Sequence, residues 1–583
     1  MQGPLLPVPV AVMPSKDGLK KRRKPLLLMR VSLGLPGKTD EKNVITNNEI
    51  REEMKTIRLF QVSMLLALTL IAAGCVSDEA AKTEQQGSTP AGTTVFSGET
   101  NPDTKTRTAI VDHTKGAGAK VNWAATDKIW VKDNTNTWHE SDAASFHELP
   151  NKAKAMFTLN GTYTGAAHDV IYTNLPITGT PQVEIKSTQT QSAPNNFDHA
   201  GASGDCGVAT ATGGSGKYGF KLDHKASYLC LIPRTTDAIF QRCKLIKIEV
   251  SADNDIAGTY GISSAGLSAS PISGASKEIT LHTGAGFDLN TATTDITKNG
   301  AYMVIAPGTH KLKIRYWLKD DVTNIEGTIT KSIPAKQYEA GKIHDLTANL
   351  DTRAYDNKYY MWDAQKDCWY GHESAQPTAN YETPPTTGHY PQSAATAPDR
   401  WYNQGALSPL QQASNSCKDC PNVNEMIWYV MKGEARLDND ELYTLMGHLY
   451  KGNGVWLKKQ SKIAEDEGVT IADIKAGYTE GGVTTDYRTS GESSHHSLFS
   501  NILPTAEECE NYFFLPPLGM YASSGGLGML MFVGERGCYF SSSPYHQASS
   551  NAYYDLITDN GYQIMTSHFV GGYSLRAEPT LFK

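Results

Sequence analysis

The sequence lacks an apolar segment long enough to cross a membrane. A transmembrane helix needs roughly 20 apolar residues, whereas the stretch Met64–Ala73 has ten residues with one polar interruption. Lys55 and Arg58 precede it, just as positive residues precede the hydrophobic region of a secretory signal peptide. Residues 54–74 are therefore predicted to be a signal peptide.

An excess of positive charge is also lacking. The net charge of the whole chain is −7, and residues 1–74 carry +6, so the chain from Cys75 onward carries −13. Nucleic-acid binding requires clustered positive charge. The sequence therefore predicts no nucleic-acid partner.

Residues 1–53 do not fit a secreted protein. Their basic run, Lys20–Lys24, is typical of a nuclear signal or a nucleic-acid patch. Because a secreted chain does not begin with such a tail, we expect translation to start at Met54, with residues 1–53 untranslated or disordered. A genuine cytosolic arm is the alternative.

Catalytic motifs are absent as well. The sequence contains neither HExxH nor GxSxG. The segment Gly213–Tyr218 imitates a phosphate-binding loop, but Ala211 replaces its first glycine and Tyr218 its Ser or Thr. The sequence predicts no catalytic residue, no cofactor and no enzyme. A glycan-active enzyme, which needs two carboxylates roughly 5–10 Å apart in a cleft, stays the remote alternative.

Cysteine is sparse, with eight residues after Cys75 in an exported chain that permits disulfides. Cys417 and Cys420 form a CxxC pair, but no second pair or suitably spaced histidines follow closely, as a zinc site would need. We expect structural disulfides or free thiols and no metal site. The eight are Cys206, Cys230, Cys243, Cys368, Cys417, Cys420, Cys509 and Cys538.

The residues around Cys75 resemble a bacterial lipobox. Small residues precede Cys75, and the acidic segment Ser77–Glu79 follows it. The resemblance implies that Cys75 is lipidated, becomes the mature N-terminus and anchors the protein to the outer face of the outer membrane. The alternative is an ordinary secretory signal with an incidental cysteine.

The part of the chain before residue 350 divides into two regions. Residues 75–105 have few large apolar side chains, so they are predicted to be a polar tether. Residues 106–350 carry alternating apolar patterns such as Leu312–Lys319 (LKIRYWLK) between Gly-, Asn- and Thr-rich turns. This profile predicts tandem antiparallel β-sandwiches with a boundary near residue 220.

Four motifs in this region resemble the fimbrillin family, the Mfa-like type V pilins. They are Thr106–Asp112 with Trp123 and Asp127, Phe220–Leu229, Ala301–Thr309 and Tyr338–Leu350. The resemblance implies a pilus subunit that joins other fimbrillin subunits by donor-strand addition. It also implies protease processing after a basic residue, for which Lys105 and Arg107 are the candidates.

Residues 351–404 are Pro-, Thr- and Ala-rich in part and are predicted to be a linker. Beyond it, the pattern predicts a helix that starts at Asn422 or Asn424 and stops at Gly433. A second helix is predicted to start at Asp438 or Asn439. The acidic residues Asp438, Asp440 and Glu441 are interpreted as its capped start, with a calcium site as the disfavoured alternative.

Residues 405–583 resemble a FISUMP-type domain, which is similar to C-type-lectin-like α+β folds. The matching residues are Phe514–Pro516, Gly519, Phe540–Ser543, Ala552–Tyr554 and Gly572–Arg576. The calcium-dependent sugar motif of such lectins is absent, and Ala577–Pro579 does not supply it. Glycan or protein binding would then fall to aromatic side chains. The candidates are Tyr539, Phe540, Tyr545, Tyr553, Tyr554 and Tyr562.

Together these features predict a mainly β protein that acts as a tip or accessory adhesin of a fimbrium. Because residues 573–583 belong to the last domain, the subunit is expected to accept a donor strand without donating one. The alternative is a stand-alone outer-membrane lipoprotein that binds glycans and never enters a pilus.

Overall fold

The structure is a computed structural model, and within the residues that it describes the fold is mainly β, as predicted. The signal peptide, Cys75, Lys105 and Arg107 lie outside those residues. In the described part of the chain, no helix is both long and apolar enough to cross a membrane. The described residues are 93–100, 109–116, 118–146, 152–379, 384, 388–405, 408, 410–491, 495–523, 527–545, 547–548, 551–558, 561–568 and 573–582.

Twenty-two strands and three one-turn helices are described up to residue 355. The strands are β1 (Thr93–Thr100), β2 (Ala109–Thr114), β3 (Gly118–Asn122), β4 (Trp130–Lys132), β5 (Trp138–Glu140), β6 (Lys154–Asn160), β7 (Ala167–Tyr172), β8 (Gln182–Ile185), β9 (Thr188–Thr190), β10 (Gly207–Gly214), β11 (Lys217–His224), β12 (Ser227–Arg234), β13 (Lys244–Ala252), β14 (Ala257–Ser263), β15 (Gly266–Leu267), β16 (Ser273–Ser276), β17 (Glu278–Asp288), β18 (Ala301–Ile305), β19 (Gly308–Asp320), β20 (Ile325–Tyr338), β21 (Ile343–Asn349) and β22 (Ala354–Tyr355). The helices are α1 (Ala200–Ser203), α2 (Ala238–Gln241) and α3 (Ile296–Asn299).

The first sheet has seven strands in the order β5-β4-β7-β10-β11-β1-β6. Trp123 lies in its core at 5.0 Å from the Phe157 ring. Asp127 closes the following turn by accepting a hydrogen bond from the Ala124 amide at 2.7 Å. The tether prediction is wrong for Thr93–Thr100, because this segment is β1 and Phe96 is fully buried. Alternation around a single aromatic residue was enough to form a strand in a stretch that is otherwise polar.

The second sandwich places a three-stranded sheet, β18-β12-β21, with a five-stranded sheet, β20-β19-β13-β17-β9, around a shared core. The chain enters this core with β8, which pairs with β14 in a four-stranded sheet that also holds β15 and β16, and with β9 of the five-stranded sheet. It returns to the first sheet with β10 and β11 and re-enters the sandwich with β12. A single boundary near residue 220 therefore does not describe the division, because residues 182–203 already belong to the second sandwich.

Fourteen further strands and four helices are described after residue 405. The strands are β23 (Arg436–Asp438), β24 (Tyr443–Leu445), β25 (His448–Tyr450), β26 (Gly454–Lys458), β27 (Tyr478–Glu480), β28 (Val483–Thr485), β29 (His496–Ser497), β30 (Tyr512–Leu515), β31 (Leu518–Ala522), β32 (Met529–Val533), β33 (Gly537–Pro544), β34 (Asn551–Thr558), β35 (Gly561–His568) and β36 (Tyr573–Ser574). The helices are α4 (Val423–Lys432), α5 (Gln460–Glu467), α6 (Ile471–Ala476) and α7 (Tyr487–Ser490).

Residues 354–405 are part of this C-terminal unit, so the linker prediction is wrong for the described portion. Trp369 and Tyr390 are buried there, and Tyr360 pairs with Leu575 through two hydrogen bonds of 2.9 Å. Proline and threonine allow extended backbone, and the intervening tryptophans and tyrosines fix that backbone to the domain.

The helix predicted from Asn422 is confirmed as α4. Asn422 caps it in a reciprocal arrangement with Glu425, and Gly433 ends it. The helix predicted from Asp438 is wrong, because strands β24 and β25 occupy that segment. The apolar residues Leu442, Leu445, Met446 and Leu449 recur at helical spacing, but they fall on or beside two short strands and the turn between them.

Candidate functional site

Most of the aromatic residues predicted to bind a ligand lie in the core instead. Tyr539, Phe540, Tyr553 and Tyr562 are each no more than 1% exposed. Only Tyr545 and Tyr554 are partly exposed. They share strands with the buried rings, and alternate strand residues face inward.

The buried rings hold the domain together. The Tyr562 hydroxyl donates to Asp555 Oδ2 at 2.7 Å, and the Tyr539 hydroxyl donates to the Pro516 carbonyl. Burial raises the pKa of the Asp555 carboxyl well above its usual range, and the side chain is hidden from solvent. A ligand cannot reach these groups without opening the core.

A polar cleft of 470 Å³ in the C-terminal unit is the better candidate binding site. It lies beside the N-terminus of α4. Buried Asn422 lines it, together with Lys418 and Lys475, which are both exposed. The remaining polar lining residues are Gln412, Asp419, Glu425, Gln460, Arg488 and Ser542.

Hydrogen bonds between separate elements fix the walls of this cleft. Asn424 Nδ2 donates to the Lys475 carbonyl at 3.1 Å and to Asp486 Oδ1 at 3.0 Å. Asp486 also pairs with Arg488 at 2.8 Å, which raises the pKa of the guanidinium. The side-chain amides of Asn422 and Gln460 are held by the Lys475 carbonyl and by Glu425. The cleft presents ammonium and guanidinium groups beside carboxylates, a mixed lining that suits a polar ligand.

The sequence did not single out the cleft, because its lining comes from helices α4 to α7, from residues 412–422, from β33 and from residues 579–582. Lys418 and Gln460 stand more than 40 positions apart and are ordinary polar residues by themselves. Only the cap residue Asn422 carried a signal, and that signal concerned the helix.

All eight described cysteines are buried free thiols. Cys420 lies at the wall of the cleft, where the neighbouring Cys417 and burial raise the pKa of its thiol. A thiol of raised pKa is a poor nucleophile. In the described residues, the CxxC pair therefore contributes packing to this site.

Strand β1 forms a second feature of functional interest. It is hydrogen-bonded on both sides, parallel to β11 and antiparallel to β6. The Phe96 ring stacks on Tyr218 at 5.0 Å and meets Tyr163 edge-on at 5.2 Å. Residues 101–108, which contain both predicted processing residues, follow β1 directly.

The acidic residues Asp438 and Glu441 neither cap a helix nor form a surface calcium site. Asp438 pairs with Arg315 of β19 at 3.0 Å, and Glu441 accepts hydrogen bonds from the amide and hydroxyl of Thr330 in β20 at 2.8 and 2.7 Å. Both carboxylates are buried. They join the C-terminal unit to the second sandwich.

No protein-family profile and no curated protein matches the chain. Solved structures similar to part of it include a "putative cell adhesion protein" from Bacteroides ovatus, which is 13% identical with a TM-score of 0.29 over 44% of this chain and 91% of that one. Another from Bacteroides uniformis is 16% identical with a TM-score of 0.27, over 44% of this chain and 93% of that one. One of the "putative polysaccharide binding proteins" from Bacteroides thetaiotaomicron is 8% identical with a TM-score of 0.20, over 40% of this chain and 78% of that one. Likeness at this level carries no inference about what this chain binds.

Proposed function

We propose that this protein is a lipid-anchored surface subunit of a fimbrium, an accessory or tip adhesin whose C-terminal cleft binds a glycan or protein ligand. The observation that supports it most strongly is the position of β1. This strand completes the first sheet from within, and the basic residues Lys105 and Arg107 follow it in sequence. Cleavage after either residue separates β1 from the rest of the chain.

Loss of β1 opens a groove between β11 and β6. Both neighbouring strands then present unpaired backbone donors and acceptors along six or seven positions. The pocket vacated by Phe96 adds an apolar anchor between Tyr163 and Tyr218. Such a groove takes an extended strand from another subunit by β-strand addition.

Residues 573–582 are not a donor strand in this fold. Tyr573 and Ser574 pair with β31, and Phe582 packs in the core of the C-terminal unit. This arrangement supports a subunit that receives a strand through its N-terminal groove while the described C-terminal strand stays in its own domain.

Strand exchange tests the proposal directly. The purified chain is cut with a protease specific for arginine or lysine and mixed with a fluorescent peptide, TTVFSGET, which copies β1. We expect the peptide to be incorporated only after cleavage. The matched control is the chain with Lys105→Ala and Arg107→Ala, which should stay closed; both chains also carry Lys115→Ala, because Lys115 lies in an exposed turn. Equal incorporation into that variant would contradict the proposed processing.

Ligand binding by the cleft is tested separately with an array of immobilised glycans and with epithelial surface proteins. Replacing both lysines of the cleft (Lys418→Ala with Lys475→Ala) should abolish binding, because both residues line the cleft and carry its ammonium groups. The control replaces Lys358 and Lys366, which are exposed on the same unit outside the cleft. Binding that survives the first pair would place the ligand elsewhere.

Anchoring and location are tested on intact cells. Mass spectrometry of the mature N-terminus should find lipid on Cys75, and gold-labelled antibody against residues 405–583 should mark fibre ends. Gold spread over the cell body, away from fibres, would instead support the stand-alone lipoprotein.

A further inference from the structure

Three side chains that are far apart in sequence meet beneath the β2–β3 hairpin. They are His113 on β2, Cys230 on β12 and Asp345 on β21. One nitrogen, one sulfur and one carboxylate oxygen from these residues lie within 4.8 Å of one another. His113 and Cys230 are buried, and the Asp345 side chain is 13% exposed.

The sheet itself sets this arrangement. Cys230 pairs with Asp345 on one side and with Tyr302 of β18 on the other. Paired residues in adjacent strands project from the same face of a sheet. Tyr302, Cys230 and Asp345 therefore form a row, and the hairpin brings His113 over it. The Gly116 amide fixes the hairpin by donating to Asp345 Oδ2 at 2.7 Å.

Hydrogen bonding determines the tautomer of His113. The Tyr302 hydroxyl donates its proton to Asn195 Oδ1 at 2.6 Å. His113 Nδ1, at 2.9 Å from the same hydroxyl, must then be the donor. In the neutral ring, Nε2 consequently carries a lone pair. A ligating histidine usually donates from its other nitrogen in this way.

That lone pair faces a second acceptor. His113 Nε2 lies 3.3 Å from Asp345 Oδ1, and neither atom has a hydrogen-bond partner although both are buried. Two facing acceptors in a buried place require a proton or a cation between them.

We propose that His113, Cys230 and Asp345 bind a divalent zinc ion that clips the β2–β3 hairpin to the second sandwich. Nitrogen and oxygen ligands of tetrahedral zinc stand roughly 3.3 Å apart, which matches the spacing of His113 Nε2 and Asp345 Oδ1. Sulfur and imidazole ligands select zinc over calcium and magnesium. A water molecule supplies the fourth ligand, and zinc binding releases the proton of the Cys230 thiol.

Cobalt substitution tests the site in the purified, reduced full chain. Co²⁺ bound by Cys230 should give a thiolate-to-cobalt charge-transfer band, and zinc titration against a chelating dye should give one tight site per chain. Cys230→Ser should abolish the band. The matched control is Cys243→Ser, which alters a buried thiol of the same core outside the cluster. A folded wild-type chain without the band would overturn the proposal, as would a band that survives Cys230→Ser.

Two further variants keep the test decisive if Cys230→Ser fails to fold. His113→Gln and Asp345→Asn preserve size at the margin of the sheet. Each substitution should lower the affinity for zinc. The loss should be at least the roughly 10–100-fold that follows mutation of residues that only support a metal ligand. Unchanged affinity in both would overturn the assignment of the ligands.

Proteolysis provides a readout of the clip. Lys115 is exposed in the turn of the hairpin. If cleavage there requires release of the hairpin, zinc at 100 times its dissociation constant should slow it roughly 100-fold. His113→Gln should remove the protection. An unchanged rate of cleavage at Lys115 when zinc is added to the wild-type chain would show that bound zinc does not hold the hairpin.

Discussion

Phe96 is the main apolar anchor of β1. Its ring is fully buried between Tyr163 and Tyr218. Truncating a buried phenylalanine to alanine removes its contacts and leaves a cavity, at a cost of about 3–5 kcal/mol. We expect Phe96→Ala to lower the free energy of unfolding of the first sheet by that amount, measured by urea denaturation. Val95→Ala, at a half-buried neighbour, should cost far less, and equal losses would contradict the anchoring role.

Glu441 makes the junction between the second sandwich and the C-terminal unit sensitive to pH. Burial, and then the neighbouring Asp438, raise the pKa of its carboxyl to about 7, while Arg315 and the bonds from Thr330 oppose this. Lys331 of β20 also interacts electrostatically with the Glu441 carboxylate. The folded state thus holds this proton more tightly than the unfolded chain, whose carboxyl has a pKa of 4.5.

Stability should therefore rise as the pH falls from about 7 toward about 4.5. We expect the free energy of unfolding to be greater at about pH 5.5 than at about pH 8, measured by denaturation at each pH. Glu441→Gln should flatten this dependence. Glu480→Gln, at the exposed end of β27, should leave it unchanged. A slope that persists in Glu441→Gln would assign it to another group.

Single residues were the hardest level to predict from the sequence. The alternation of strand residues predicts that aromatic side chains such as Tyr553 divide between core and surface. Most of the candidate rings are buried in the core. His113, Cys230 and Asp345 carried no signal, because each pair of neighbours in the set is separated by more than 100 positions. Their meeting depends on sheet register, which local patterns do not contain.

Among the elements, β1 has a strict requirement at Gly98. A Cβ atom there would lie 2.5 Å from Phe220 Cζ. Position 98 therefore has no room for a side chain, whereas position 96 holds a buried aromatic ring. We expect the β1 peptide with Gly98→Val to lose incorporation into the cleaved chain, measured by fluorescence anisotropy. The same change at Ser97, which is only half-buried, is the control. Equal incorporation of both peptides would contradict this fit.

Elements with complete local signals were predictable. Leu312, Ile314, Tyr316 and Leu318 alternate in sequence and are all buried in β19. Asn422 and Gly433 bracket α4, since a capping box and a terminal glycine act within one turn. The helix prediction after Asp438 was wrong because the acidic residues there resemble a helix cap. In the structure they bind residues of β19 and β20 instead. Here a tertiary contact overrode local preference.

For the whole molecule, Arg315 supplies a buried ion pair between the second sandwich and the C-terminal unit. Asp438, whose side chain is 2% exposed, depends on it for charge compensation. Removing one partner of a buried ion pair costs about 3–5 kcal/mol. We expect Arg315→Ala to split thermal unfolding into two transitions, measured by calorimetry.

The control for this prediction is Arg353→Ala. Arg353 is 41% exposed in its pair with Glu578, and Glu578 retains Arg576 as a partner. Such pairs contribute about 0–1 kcal/mol, so a single transition should remain. Two transitions in both variants would show that the junction does not depend on Arg315.

The placement of β1 has a mechanical consequence. Its ladders run through six register pairs with β11 and seven with β6. Traction along the strand axis loads both ladders in shear, so that all pairs must give way together. A force at right angles would instead peel them apart one after another. Any strand seated in this position therefore resists a lengthwise pull much better than a sideways one, and the sheet acts as a directional grip.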